Sequence, residues 1–106
     1  MTFSQGQLWL VDLNPTVGSE MRKTRPAVIV SPDELNEHLR TVIVVPLTTG
    51  RSYPFRVATR VGGKSGAAAV DQLRTVDKRR LVKQLGTMKR PTLKKVIATI
   101  SDMFSL

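Results

Sequence analysis

Two short β-branched runs, Pro26–Val30 and Thr41–Leu47, place the strongest constraint on the fold of this 106-residue chain. They read PAVIV and TVIVVPL, so apolar side chains occupy successive positions rather than alternate ones. Because successive side chains of a strand point to opposite faces, each run predicts a strand that is covered on both sides. Residues 1–106 are interpreted as a single domain with one modest core.

The segments around these two runs predict a mainly β fold with short helices. Gly6–Leu13 has strand-like composition, Phe55–Val61 alternates apolar and basic residues, and Ala67–Leu73 predicts a further strand. From Thr92 onward the apolar residues fall at helical spacing on one stripe. Five to seven short strands in this length predict a small, strongly bent barrel followed by a C-terminal amphipathic helix.

Three residues are suited to start helical segments. Ser31 precedes Pro32 and Glu34, a pattern that predicts a capped short helix between the second and third strands. Asp77 predicts the cap of a short turn that ends near Arg80, and Thr92 is the predicted cap of the C-terminal helix.

The charge of the chain is strongly one-sided. It has 17 Lys and Arg residues against 8 Asp and Glu residues, for a formal net charge of +9. Residues 1–53 hold five basic and five acidic side chains, whereas residues 54–106 hold twelve basic and three acidic ones. Such a field favours a polyanionic partner, with nucleic acid the first candidate. A basic surface that serves only solubility is the alternative.

The residue inventory excludes several classes of chemistry. The chain has no cysteine, which rules out disulfides and thiol nucleophiles, and its one histidine, His38, makes a zinc site improbable. We therefore expect no metal and no cofactor. No apolar run approaches the length of a membrane span, and no export signal precedes Gln7. We expect a soluble, cytoplasmic protein.

Three separated segments resemble the successive motifs of the MazF/PemK family. They read GQLWLVDLNPTVGSEMRKTRPAVIVS, then VIVVPLTTG, then AVDQLRTVDKRRL, and the resemblance extends from about Gln5 to the C-terminal helix. The family comprises toxins of toxin–antitoxin pairs that cut single-stranded RNA. The resemblance implies a small SH3-like barrel of the CcdB/MazF type, a homodimer, and a metal-independent, sequence-selective endoribonuclease. The ribose 2′-hydroxyl would attack the phosphate, leaving a 2′,3′-cyclic phosphate and a 5′-hydroxyl.

The resemblance places the catalytic pair on Arg25 and Thr48. The planar fork of an arginine binds phosphate in bidentate fashion and stays charged at any working pH. Arg25 is therefore expected to stabilise phosphoryl charge and to deliver a proton to the leaving oxygen, and Thr48 to position the phosphate. Without the resemblance, Arg25 is better explained as an arginine that pairs with Glu20 or another carboxylate, and Thr48 as a strand end that bonds its own backbone.

Further candidates are expected to contact the RNA. Asp71, Gln72 and Arg74 offer groups that read exposed base edges, although Arg74 is equally well explained by an ion pair with Asp71 or Asp77. PemK-like members carry an arginine two places before this aspartate, and that pair has been assigned acid and base roles. Ala69 stands there in this chain, which favours the Arg25–Thr48 mechanism over one centred on Asp71.

The polar segment between Asn14 and Thr24 is typical of a loop beside a site. Ser19, Glu20 and Lys23 are predicted to contact RNA, as is Thr49 after the third strand, whereas Arg22 is interpreted as a solvated loop residue. All of these are also compatible with an ordinary solvated loop.

The resemblance also implies a partner and leaves two other functions open. The partner is a small MazE-like antitoxin whose acidic tail competes with RNA for the basic groove, and DNA is contacted only through that complex. The first alternative is a CcdB-like gyrase poison, although such proteins use a Trp-Gly-Ile C-terminus and this chain ends in Phe104-Ser105-Leu106. The second is an RNA-binding module without catalysis.

Overall fold

A computed structural model of the chain describes residues 2–21, 23–50 and 53–106, so the prediction for Arg22 lies outside the described residues. Within them, the chain forms seven strands, two α-helices and two short 3₁₀ turns. The strands are β1 Gln7–Asp12, β2 Thr24–Ile29, β3 Thr41–Thr48, β4 Arg56–Val61, β5 Lys64–Ala69, β6 Arg74–Asp77 and β7 Leu81–Thr87. The helices are α1 Asp33–His38 and α2 Arg90–Met103, and the 3₁₀ turns are Val70–Gln72 and Lys78–Arg80.

The strands form one antiparallel sheet in the order β4-β5-β3-β2-β1-β7, with β6 paired to β3 beside that path. The predicted mainly β class with a C-terminal helix is thereby confirmed. The sheet is bent but not closed, because no pairing among the described residues joins its end strands β4 and β7.

The central strands β2 and β3 are buried on both faces, as their sequences predict. On one face, Ala27, Ile29 and Val44 pack with Trp9 of β1 in a first cluster of buried side chains. On the other face, Val28, Val45 and Leu47 belong to a second cluster, which includes Val96 of α2. The two clusters therefore share these strands as a common wall.

Strand β3 changes its partner near Pro46. Its first half, up to Val44, pairs with β6, and its end, Leu47 and Thr48, pairs with β5. Pro46 lies between the two partners and has no N–H group to offer to a ladder. The partner change carries the end of β3 away from β6 and toward the β4–β5 hairpin.

The predicted caps of both α-helices are wrong, for different reasons. Pro32, not Ser31, is the residue before α1, and no side-chain cap bond is made. The Ser31 hydroxyl is instead buried, donates to Asn36 Oδ1 at 2.6 Å and accepts the Ile43 N–H at 3.0 Å. Helix α2 begins at Arg90, before the predicted cap Thr92, with a proline in its first turn.

The predicted cap of the short turn is confirmed, because Asp77 Oδ1 accepts the Arg79 N–H at 2.8 Å.

Helix α2 has 14 residues. No helix in the described part of the chain has the length and apolar character needed to cross a membrane.

The close approach of β5 to β3 depends on Gly66. A Cβ atom at this position would lie 2.4 Å from the Thr48 carbonyl oxygen and 2.7 Å from Val61 Cγ2. Because the first contact is with backbone, we expect Gly66→Ala to displace the end of β3 and to lower the free energy of unfolding by about 1–3 kcal/mol. Urea denaturation measures the change.

Gly50→Ala is the matched control, since its new Cβ would meet only Thr48 Oγ1 at 3.6 Å, an ordinary contact. Equal stability of the two variants would contradict the role assigned to Gly66.

Candidate active site

Arg25 and Thr48 lie at neighbouring ends of the two central strands. The β2–β3 ladder runs from Ile29 and Val44 to Ala27 and Pro46, so Arg25 and Thr48 each lie two residues beyond its last pair. Residues two apart in a strand share a face, so both side chains lie on the face of the first cluster, at its edge. The two residues assigned to catalysis by resemblance therefore share one face of the sheet.

The Arg25 guanidinium is half-buried and lies against the loop between β1 and β2. Its Nη1 is 3.9 Å from Met21 Sδ, and the Met21 backbone N–H donates to Gln72 Oε1 at 3.4 Å. The side chain of Met21 also packs against the first cluster. Arg25 and Gln72, both candidate site residues, are thus linked through one loop residue that sequence reasoning overlooked.

Thr48 makes a local hydrogen bond to the backbone, as expected of a threonine at the end of a strand. Its Oγ1 accepts the Gly50 N–H at 3.3 Å. A threonine hydroxyl has one donor proton and two acceptor lone pairs, so this bond leaves the hydroxyl proton available to a phosphoryl oxygen. Thr49 follows directly and is exposed.

The described loop residues 13–21 and 23, hereafter the flap, include Ser19 and Glu20, which are exposed. The Glu20 carboxylate accepts the Val17 N–H at 2.6 Å, so it braces the flap tip. Lys23 closes the base: its carbonyl accepts the Leu13 N–H at 3.1 Å, and its backbone is left-handed, with φ of 68°.

Two arginines from the opposite end of the chain anchor the same base. Arg74 Nη1 donates to the Leu13 carbonyl at 3.1 Å, and Arg80 Nη1 donates to the Asp12 carbonyl at 3.1 Å and also to the Asn14 carbonyl. Arg74 therefore makes a different contact from the Asp71 or Asp77 ion pair considered for it. Charged donors to backbone carbonyls form the stronger class of hydrogen bond, so the flap is held where it leaves β1.

Asp71 is paired with an arginine that sequence reasoning did not identify. Arg56 Nε donates to Asp71 Oδ1 at 2.9 Å, and Arg56 Nη2 donates to Oδ2 at 3.1 Å. The β4–β5 register sets Arg56 directly opposite Ala69. The guanidinium that binds Asp71 is therefore supplied by the strand next to Ala69.

The ion pair shifts the pKa of both Asp71 and Arg56. The hydrogen bonds from Arg56 lower the pKa of Asp71, against the opposing effect of partial burial. The same bonds raise the pKa of Arg56. A carboxylate held ionised in this way is a poor proton acceptor near neutral pH. Among the described residues, no group of three His, Cys, Asp or Glu side chains is placed to hold a metal ion.

The lowered pKa of Asp71 makes the stability of the fold pH-dependent. A carboxyl whose pKa is lower in the folded state stabilises the fold above its unfolded pKa of about 3.9 and loses that contribution as pH falls through the folded value. We therefore expect Arg56→Gln to be less stable than the parent at about pH 6. The difference should shrink steadily below about pH 4. Urea denaturation across this range measures it.

Lys94→Gln is the control for the loss of one positive charge, because Lys94 is exposed on α2 and belongs to neither of the two ion pairs found among the described residues. A stability gap for Arg56→Gln that is as large at acid pH as at neutral pH would contradict the assignment.

Comparisons with known proteins agree on one family. Residues 4–104 match the model of the PemK-like, MazF-like toxins of type II toxin–antitoxin systems. The chain is 35% identical over 108 residues to the endoribonuclease PemK of Escherichia coli, covering 95% of this chain and 81% of PemK.

Solved structures give the same result. The fold superposes on crystalline MazF from Deinococcus radiodurans with a TM-score of 0.88 at 27% identity, covering 100% of this chain and 99% of that one. A mycobacterial endoribonuclease in complex with its cognate antitoxin matches with a TM-score of 0.79 at 27% identity, covering 95% and 93%. This chain belongs to the PemK-like, MazF-like toxin family of type II toxin–antitoxin systems.

Proposed function

We propose that this chain is a toxin that cuts single-stranded RNA at selected sequences, without a metal ion, by attack of the ribose 2′-hydroxyl on the adjacent phosphate. The observation that carries the proposal is the placement of Arg25 and Thr48 on one face of the sheet, at neighbouring ends of two paired strands, in a family whose relative PemK is named an endoribonuclease. The products are a 2′,3′-cyclic phosphate and a 5′-hydroxyl.

In this mechanism, Arg25 stabilises the charge that develops on the phosphoryl oxygens. A guanidinium carries a positive charge and binds two phosphoryl oxygens at once. The strand that carries it is buried on both faces, so little reorganisation is needed when the charge appears. As the bond from phosphorus to the 5′-oxygen breaks, Arg25 donates a proton to that oxygen and regains one from water, and water also takes up the 2′-hydroxyl proton.

Thr48 positions the scissile phosphate. Its hydroxyl oxygen is held by the Gly50 N–H, which leaves the hydroxyl proton to point at a phosphoryl oxygen. Bonds of this kind orient the phosphate for in-line attack. Thr49 and the flap residues Ser19, Glu20 and Lys23 contact the RNA on either side. Gln72 and Arg74 contribute to recognition of the bases.

An acidic antitoxin is the partner that best fits the charge of the chain. The excess of basic residues lies entirely in residues 54–106, and an acidic segment that folds onto them excludes RNA by direct competition. A structural relative was solved with its cognate antitoxin. The toxin acts on RNA in the cytoplasm, and DNA is contacted only by the toxin–antitoxin complex.

Two copies of the chain form the active protein. Strand β7 lies at the end of the sheet path, and its residues 82–85 are all exposed. Val82 is 61% exposed and Leu85 46% exposed, an apolar pair on an edge strand that a second chain would cover. Near the C-terminus, Met103 packs in the second cluster whereas Phe104 is exposed.

The cleavage mechanism is tested with a long single-stranded RNA in excess EDTA, with both product ends mapped. We expect the parent protein to cut. Arg25→Ala and Thr48→Val should each lose about 10²–10³-fold in rate, since each removes a donor to the developing charge. Thr48→Ser keeps the hydroxyl and should retain most of the activity.

Controls separate catalysis from charge and from folding. Arg79→Ala removes an exposed arginine outside the site and should cut at the parental rate. Circular dichroism confirms that each variant is folded. An RNA with a 2′-deoxy sugar at the cleavage point should resist cutting. Parental rates in both Arg25→Ala and Thr48→Val would reject the site, and inhibition of the parent by EDTA would reject metal independence. Binding without cutting would favour a plain RNA-binding module.

The dimer is tested by sedimentation equilibrium. We expect the parent to have the mass of two chains and Val82→Glu to shift toward one, because a charge in a buried apolar contact is costly. Leu39→Glu, at a position 47% exposed next to α1, is the control and should leave the mass unchanged. A monomeric parent would contradict the assignment of β7.

A further inference from the structure

The turn that leads into β4 holds an aromatic residue in a conformation that aromatic residues rarely adopt. The Arg56 N–H donates to the Tyr53 carbonyl at 3.1 Å, which closes a four-residue turn with Pro54 at its second position. At the third position, Phe55 has φ of 60°. This is the arrangement of a type II turn, where glycine or asparagine normally stands. A bulky residue there costs free energy, and the chain bears that cost at an exposed site.

The turn displays two aromatic rings beside a charged pair. Tyr53 is 54% exposed and Phe55 47% exposed. The Arg56 guanidinium carbon lies 4.9 Å from the centre of the Tyr53 ring, so a cation supports one side of the ring. The same guanidinium holds both oxygens of Asp71. One arginine therefore fixes a flat apolar ring and a carboxylate relative to each other.

Arg56 lies on the same face of the sheet as Thr48, a member of the proposed catalytic pair. Thr48 is paired with Ala67, which is paired with Ala58, two residues along β4 from Arg56. Arg56 therefore shares the face of Thr48. Two strand spacings separate β3 from β4, a lateral distance of about 10 Å. A nucleotide next to the one being cut can reach across that distance.

We propose that Tyr53, Phe55 and Asp71 form a nucleobase-binding subsite that selects one base beside the cleaved bond and prefers a base with an exocyclic amino group, such as cytosine, over uracil. The proposal rests on the proposed RNA-cleaving function. The aromatic rings stack on the base, as they do in proteins that bind single strands. A carboxylate has about four lone-pair positions, so Asp71 can accept from a base amino group while it remains bonded to Arg56. Arg56 is a positioning residue, because it acts through Asp71.

The test is a pool of RNAs with a randomised segment, cut by the parent and by each variant, with every cleavage position sequenced. In the parent, we expect cytosine to exceed uracil at one position near the cut by about 5-fold or more. Asp71→Asn should reduce that ratio toward one and leave preferences at other positions unchanged, because an amide offers a donor as well as an acceptor. Tyr53→Ala should weaken binding of a short uncleavable RNA by about 5-fold or more, whereas Tyr53→Phe should not.

Phe55→Gly separates binding from folding. Glycine adopts a positive φ without strain, so this variant should melt at the same or a higher temperature while it binds the uncleavable RNA less tightly. A role in folding alone would lower the melting temperature instead. Arg79→Ala again controls for charge. A parent that cuts RNA, with Asp71→Asn and Phe55→Gly both matching its cleavage profile and affinity, would overturn the subsite alone. A parent that neither binds nor cuts RNA would overturn the proposed function as well.

Discussion

The burial of β2 and β3 on both faces is the constraint on which the site depends. Each apolar side chain of these strands contributes about 1.5–3 kcal/mol when it is fully buried. A register slip of one residue would also move every side chain to the opposite face. Such a slip would carry Arg25 away from the face that Thr48 occupies. The packing of Ala27 and Ile29 in one cluster and of Val28 in the other therefore determines where the guanidinium can lie.

The flap complements this rigid pair with contacts drawn from distant parts of the chain. Arg74 and Arg80 bind carbonyls at its base, and Gln72 binds the backbone of Met21, which in turn lies against Arg25. Two of the arginines that contribute to the net charge thus bind groups within the protein. The net charge remains a guide to the partner, but individual arginines divide between holding the loop and meeting the substrate.

Local sequence patterns predicted the secondary-structure elements well, but they predicted side-chain contacts between strands poorly. The doubly apolar runs identified β2 and β3, the helical stripe identified α2, and Asp77 was recognised as a cap, because each signal lies within a few neighbouring residues. The Arg56–Asp71 pair spans 15 positions and depends on the β4–β5 register, which no local pattern reveals. Ser31 fits a cap by sequence, but a buried bond to Asn36 competes for its hydroxyl.

The β4–β5 register also explains why Asp71 has an arginine partner although residue 69 is an alanine. Opposite residues of neighbouring strands lie within reach of a long side chain. The Arg56 guanidinium therefore occupies the space that the guanidinium of an arginine at residue 69 would occupy. A small residue is favoured at residue 69, because two long side chains would compete for the Asp71 carboxylate. Ala69 is also fully buried. Ala69→Arg should consequently disturb the existing pair rather than add to it. The chemistry around Asp71 is thus specified by the sheet register as much as by the motif that surrounds it.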